Sequence, residues 1–209
     1  MRILFAGTPD IGVPSLELLS KNFDICGVLT NPDTAKGRKR TVVFSPVKEK
    51  ALELDIPVYQ PQKIDDDFLA TVKELKPDLI VCIAFGTIFR QKFLDLFELG
   101  GINLHPSLLP IYRGPSPLSE AIKNGDKVSG ITVQRFALKM DSGNILYQEK
   151  LELDEKETTG SLTTKVAELG APIILKVVNE LNEGSVKEFP QDHSAATFCK
   201  LIKKEDGII

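Results

Sequence analysis

An α/β fold is predicted for this chain of 209 residues: a mostly parallel sheet with helices on both faces and an antiparallel extension in the second half. Three observations predict it. Through the first half, short apolar runs alternate with segments whose apolar residues recur every three or four positions. Helix start and stop residues fall at the joints between them. From Gly130 onward the pattern changes to two β-rich runs separated by a short turn.

Arg2–Ala6 is the first strand, too short and too soon interrupted for a signal peptide. Ile25–Thr30, Leu79–Ala84 and Ile102–His105 are further apolar runs of strand length. Between them, Val13–Ser20, Ser45–Leu54 and Asp66–Leu75 carry helical spacing. Ser45 and Pro46 suit the N-cap and first helical positions, and Pro77 closes the helix ending near Leu75. Asp65, Asp66 and Asp67 fit that helix's start, where the positive end of its dipole favours acids, better than a metal cluster. Strand–helix–strand alternation implies right-handed crossovers and a Rossmann-like arrangement. Gly130–Phe136 and Asn144–Leu151 then pair antiparallel across the turn Met140-Asp141-Ser142-Gly143. A long helix follows from about Thr159 to Leu181, burying Leu162, Val166, Leu169, Ile173 and Ile174, with Pro172 expected to kink or divide it. Beyond Ser194 the charged tail shows no fold of its own.

Composition narrows the function. The net charge of −3 does not announce a nucleic-acid binder, although four of the five residues from Lys36 to Arg40 are positive. No apolar run approaches the ~18–20 residues a bilayer requires. Cys26, Cys82 and Cys199 are scattered, odd in number and without CxxC spacing, so disulfides and zinc are not expected and a reducing cytoplasm is. Gly7 and Gly12 do not complete GxGxxG, which argues against a dinucleotide site at the first turn. His193, alone in a polar stretch, reads as a surface residue.

In open parallel sheets, ligands sit beyond the carboxyl ends of the strands, which puts Asn103 and His105 at the rim where sites form. Two apart on a strand, they share a face. Taken alone, such a pair often does no more than satisfy strand-end hydrogen bonds. An amide donor beside an imidazole can also hold an oxyanion and manage a proton as a carbonyl becomes tetrahedral. The prolines and leucines of Pro106–Pro110 suggest a stiff apolar wall for a flat ring. Asp141 lies thirty-six residues past His105 in a common turn pattern. It gains meaning if the turn folds back on His105, where a carboxylate would fix the tautomer and raise basicity.

Asn-x-His followed by Ser-Leu-Leu-Pro and Tyr-Arg-Gly, with Asp-Ser-Gly beyond, resembles the formyltransferases that use 10-formyltetrahydrofolate. The start Phe5-Ala6-Gly7-Thr8-Pro9, the loop Ala35–Arg40 leading to Ser45-Pro46-Val47-Lys48, and Ala84-Phe85-Gly86 make the chain similar to the branch acting on methionyl-initiator-tRNA. The resemblance covers essentially the whole sequence. It implies Asn103, His105 and Asp141 as catalytic residues. It also implies a folate site lined by Ser107, Leu108, Leu109 and Pro110, with Phe85, Gly86 and Met140 nearby. Lys36, Arg38, Lys39 and Arg40 would contact tRNA phosphates, with no metal required. A cytoplasmic, membrane-free monomer is expected. Residues 1–189 are expected to form the catalytic domain. Residues 190–209 are expected to be a tail that begins the linker to a C-terminal tRNA-binding domain outside this sequence. A formyltransferase for a small amine, such as a nucleotide sugar or glycinamide ribonucleotide, is the alternative. A folate-binding module without turnover is the other.

Overall fold

The computed structural model describes residues 1–36 and 41–202. The chain begins with strand β1 (Arg2–Gly7), a short 3-10 turn (Asp10–Gly12), helix α1 (Val13–Ser20) and strand β2 (Asp24–Leu29). A small hairpin of β3 (Thr34–Lys36) and β4 (Thr41–Val43) precedes α2 (Pro46–Glu53), β5 (Val58–Tyr59) and α3 (Asp66–Leu75). Then come β6 (Leu79–Ile83), α4 (Gln91–Leu94), β7 (Gly101–His105) and α5 (Pro117–Asn124). The series closes with β8 (Val128–Arg135), β9 (Ile145–Glu152), α6 (Thr159–Glu183) and a 3-10 turn at His193–Ala195.

Seven strands form one sheet in the order β5-β2-β1-β6-β7-β8-β9. From β5 to β7 the neighbours are parallel, and β8 and β9 add antiparallel at one edge. The expected mostly parallel sheet with an antiparallel extension is what forms. Caps set the helices as the sequence indicates: Ser45 Oγ accepts from Lys48 N at 3.2 Å, and Asp65 Oδ1 accepts from Phe68 N at 3.2 Å.

Alternation along each strand sorts side chains into two layers. Ile3, Phe5, Leu79, Val81, Ile83, Ile102 and Leu104 join the core beneath α6, with Leu162, Val166, Ile174 and Val178. Leu4, Ala6, Ile80 and Cys82 face the other way, toward α3 and a row of phenylalanines, Phe85, Phe89, Phe93 and Phe97. α6 runs unbroken through Pro172, so the expected division does not occur. Leu169, expected in the buried stripe, is exposed, while Gly170 and Ala171 take the inward positions. The reason is close approach: a Cβ at Gly170 would lie 2.7 Å from Leu104 Cδ1, so the helix meets β7 on its small residues. The segment after Ser194 also differs from expectation. It is tied down, with Arg113 N donating to Thr197 O at 2.9 Å and Cys199 N to Arg113 O at 2.8 Å. Among the described residues, no helix is long and apolar enough to cross a membrane.

Candidate active site

The parity that sorts the core also builds the site. Cys82, Asn103 and Gln134 are register partners across β6, β7 and β8, so they form one row on the phenylalanine side of the sheet. Just beyond this row, at the carboxyl ends of β6 and β7, lies a cavity of about 250 Å³. Asn103, His105, Asp141, Phe85, Gly86 and Met140 all line it. One wall is aromatic: Phe85 stacks on Phe89 at 5.7 Å between centroids, and Phe136 meets Phe89 edge-on at 5.3 Å. Ile88, Leu138 and Met140 stand exposed at the mouth, an apolar rim suited to a flat ring system.

His105 is 4 % exposed. Its Nε2 lies 2.8 Å from the Tyr112 carbonyl, so Nε2 carries the hydrogen and Nδ1 is the lone-pair nitrogen of the neutral ring. Tyr112 presents that carbonyl from a left-handed turn with φ 57°. Asp141 Oδ2 stands 3.7 Å from Nδ1, close enough for Coulombic attraction to a proton there and too far for a hydrogen bond. The tautomer is therefore set by Tyr112, where the sequence suggested Asp141. Burial pushes the imidazole below its ordinary value of 6.5, and the Asp141 charge and the Tyr112 carbonyl oppose that shift.

Asp141 is held on both oxygens: Oδ2 accepts from Gly114 N at 2.8 Å and Oδ1 from Gln134 Nε2 at 3.0 Å. It sits in the left-handed region at φ 48°, and its neighbour Gly143 has no room for a Cβ because the Arg135 carbonyl fills that space. The Asn103 amide is half-buried and makes no hydrogen bond to the described residues, leaving its donors available.

Ser107, Leu108, Leu109 and Pro110 do not line the cavity. Ser107 Oγ donates to Ile111 O, Leu109 N donates to Thr132 Oγ1 at 3.1 Å, and Leu108 packs on Gly130. This turn is drawn onto β8 by its own hydrogen bonds and by leucine burial. The apolar wall of the cavity is supplied instead by Phe85, Phe89, Phe136, Pro106 and Leu138. Arg38, Lys39 and Arg40 lie outside the described residues, as does the side chain of Lys36, whose backbone ends β3. Sequence alone assigns no role to Gln134, to Gln191 or to Arg113 of the Tyr-Arg-Gly motif, all buried and all tied to the Asp141 turn. Their one advance signal is polar chemistry at strand-end and loop positions, which many surface residues share.

The profile of the formyl transferase family matches residues 1–178. A methionyl-tRNA formyltransferase of Treponema denticola is 44 % identical over the whole chain, which spans 67 % of that relative. One from Kosmotoga olearia is 40 % identical, again over the whole chain and 68 % of the relative. Among solved structures, glycinamide ribonucleotide transformylase 1 from Symbiobacterium toebii superposes with TM-score 0.74 at 18 % identity, over 90 % of this chain and 94 % of that one. An N-formyltransferase from Helicobacter canadensis, in complex with folinic acid and dTDP-3-aminofucose, gives 0.73 at 22 % identity, over 98 % of this chain and 71 % of that one. At these identities the two structures speak for the fold alone.

Proposed function

The chain belongs to the formyl transferase family, and on that premise we propose that it moves the formyl group of 10-formyltetrahydrofolate onto the α-amino group of methionyl-initiator-tRNA. The observation that carries the reaction type is the convergence of Asn103, His105 and Asp141 on one wall of the aromatic cavity. The choice of acceptor rests on relatives of 40–44 % identity that bear the name methionyl-tRNA formyltransferase.

The geometry supports the following roles. The acceptor amine attacks while neutral, and a bond forms from its nitrogen to the formyl carbon. Asn103 donates an N–H to the formyl oxygen as negative charge builds there. His105, neutral because it is buried, takes the amine proton on Nδ1, the nitrogen left open by the Tyr112 contact. Asp141, 3.7 Å away, compensates the imidazolium charge. The proton then goes to N10 of the folate as the carbon–N10 bond breaks, returning His105 to its neutral form. Phe85, Gly86 and Met140 flank the folate ring. Lys36, Arg38, Lys39 and Arg40 meet tRNA phosphates. Residues 1–189 carry the groups that meet the substrates, and the chain acts as a cytoplasmic monomer.

Release of tetrahydrofolate, followed with charged initiator tRNA, glycinamide ribonucleotide and a nucleotide amino sugar as competing acceptors, tests this reading. Formylmethionyl-tRNA as the main product supports it. Preference for either small amine reassigns the acceptor, and folate binding without transfer to any of the three removes the enzymatic reading.

A further inference from the structure

The segment 189–199 crosses the outside of both loops that hold the proposed catalytic groups. Phe189 pairs with Ile145 just after the Asp141 turn, and Thr197 Oγ1 accepts from Tyr112 N at 2.8 Å, beside the carbonyl that fixes His105. At the centre of this crossing is Gln191, 6 % exposed. Its Nε2 reaches the Gly143 carbonyl at 2.7 Å, the Asp141 carbonyl at 3.0 Å and Gln134 Oε1 at 3.2 Å. Gln134 in turn holds Asp141 Oδ1. On the other side, Gln191 Oε1 accepts from Arg113 Nη2 at 2.6 Å and Nε at 3.2 Å.

This arrangement is costly unless it serves the turn. Arg113 is a buried guanidinium whose side chain is bonded to Gln191 and to His193 Nδ1 at 2.9 Å, with no carboxylate paired to it among the described residues. Its pull on Oε1 polarises the amide and strengthens Nε2–H as a donor on the opposite side. The turn uses such a donor: Gly143 is buried, its bond to Gln191 is buried too, and a buried backbone acceptor is satisfied by protein. Only a carboxamide of this length takes two bonds from arginine and gives bonds to both carbonyls. Residue 191 also lies outside the span 1–178 that the family profile matches.

We infer that Gln191 is a positioning residue for formyl transfer, holding the Asp141 turn from behind so that its carboxylate faces His105 Nδ1. This rests on the roles given above to Asp141 and His105. A Gln191 that merely anchored the C-terminal segment would change stability and leave the chemical step alone.

The test uses the whole chain with two substitutions. Gln191→Glu keeps the acceptor for Arg113 and removes both donors; Gln191→Met removes everything polar. Formyl transfer, calorimetric binding of 5-formyltetrahydrofolate, thermal unfolding and the His105 titration by nitrogen-15 NMR are measured on each. In both variants kcat is expected to fall about 10- to 100-fold while affinity for the folate probe stays within about threefold. In Gln191→Met the His105 midpoint moves down, because the turn loses its support from behind and the carboxylate that favours the imidazolium is less closely held beside it. A folded variant with kcat within about threefold of the parent overturns the inference, as does an unmoved His105 midpoint in Gln191→Met. Should Gln191→Met not fold, Gln191→Glu decides on kcat. Asp141→Asn separates the two levels. Retained turnover there removes Asp141 from the mechanism; turnover lost there and kept in the Gln191 variants removes Gln191 alone.

Discussion

His105 stands where two demands conflict, since burial disfavours the imidazolium that Asp141 favours. Burial is the larger influence, and it has a measurable consequence for stability. Between the ordinary value of 6.5 and the lower folded value, the unfolded chain holds a proton that the folded chain does not. The contribution of His105 is therefore complete above about pH 6.5 and drains away as pH falls toward the folded value. Urea unfolding at neutral and at mildly acid pH should show this slope, and His105→Gln should flatten it. An identical slope in the variant would place the acid sensitivity elsewhere. Asn103 makes the complementary case, because its amide is uncommitted in the folded chain. Asn103→Ala is expected to cost about 10²- to 10³-fold in turnover, as loss of one oxyanion donor does elsewhere, with folate affinity preserved. Near-parental turnover would take the amide out of the reaction.

At the scale of elements, α6 and β7 determine each other through Gly170 and Leu104. Gly170→Val drives two methyl groups toward a leucine that is 3 % exposed, and should destabilise the fold by about 2–3 kcal/mol. A thermal scan with a melting temperature equal to the parent's would show that the helix can back away. This contact also shows where periodicity succeeds and fails as a guide. α6 was legible from its apolar spacing, yet Leu169 points outward because the glycine beside it brings the helix closer than a leucine permits. α5 carried Pro117 near its start and Gly125 at its end, signals that the short span and few apolar residues left easy to pass over. β5 has two residues, too few for any period. The Ser107–Pro110 turn differs in the opposite sense, lying against β8 and not along the cavity. Leucines beside a strand-end histidine can turn to the protein as readily as to a ligand, and here Leu109 is buried and Leu108 lies against Gly130.

Across the whole molecule, the excess of acid over base leaves Lys36, Arg38, Lys39 and Arg40 as a local reversal of sign. The hairpin strands that flank them are tied at their base by Lys48, which pairs with Asp33 and donates to Gln60 Oε1 at 2.8 Å. Gln60 and Asn31 carry that connection to the Phe85 carbonyl beside the cavity. Replacing the four basic residues with alanine should weaken tRNA binding and reduce the slope of log affinity against log salt by up to about 3. An unchanged slope would return the loop to a solvated surface feature. What the sequence revealed at this scale was the trio that lines the cavity, because Asn103, His105 and Asp141 fall on strand ends and turns with their own local signals. What it hid were their supports. Gln191 and Arg113 are seventy-eight positions apart, and neither has a local pattern that names its partner.

On β7, Leu104 belongs to the core, while Asn103 and His105, on either side of it, belong to the cavity. One inserted or deleted residue within this strand would swap the two sets, sending the imidazole under α6 and a leucine to the cavity. A change of length in the hairpin or in a surface turn leaves this alternation intact. The five residues from Gly101 to His105 admit no such change, for the strand has a single reading frame in which the core and the cavity each receive the side chains that suit them.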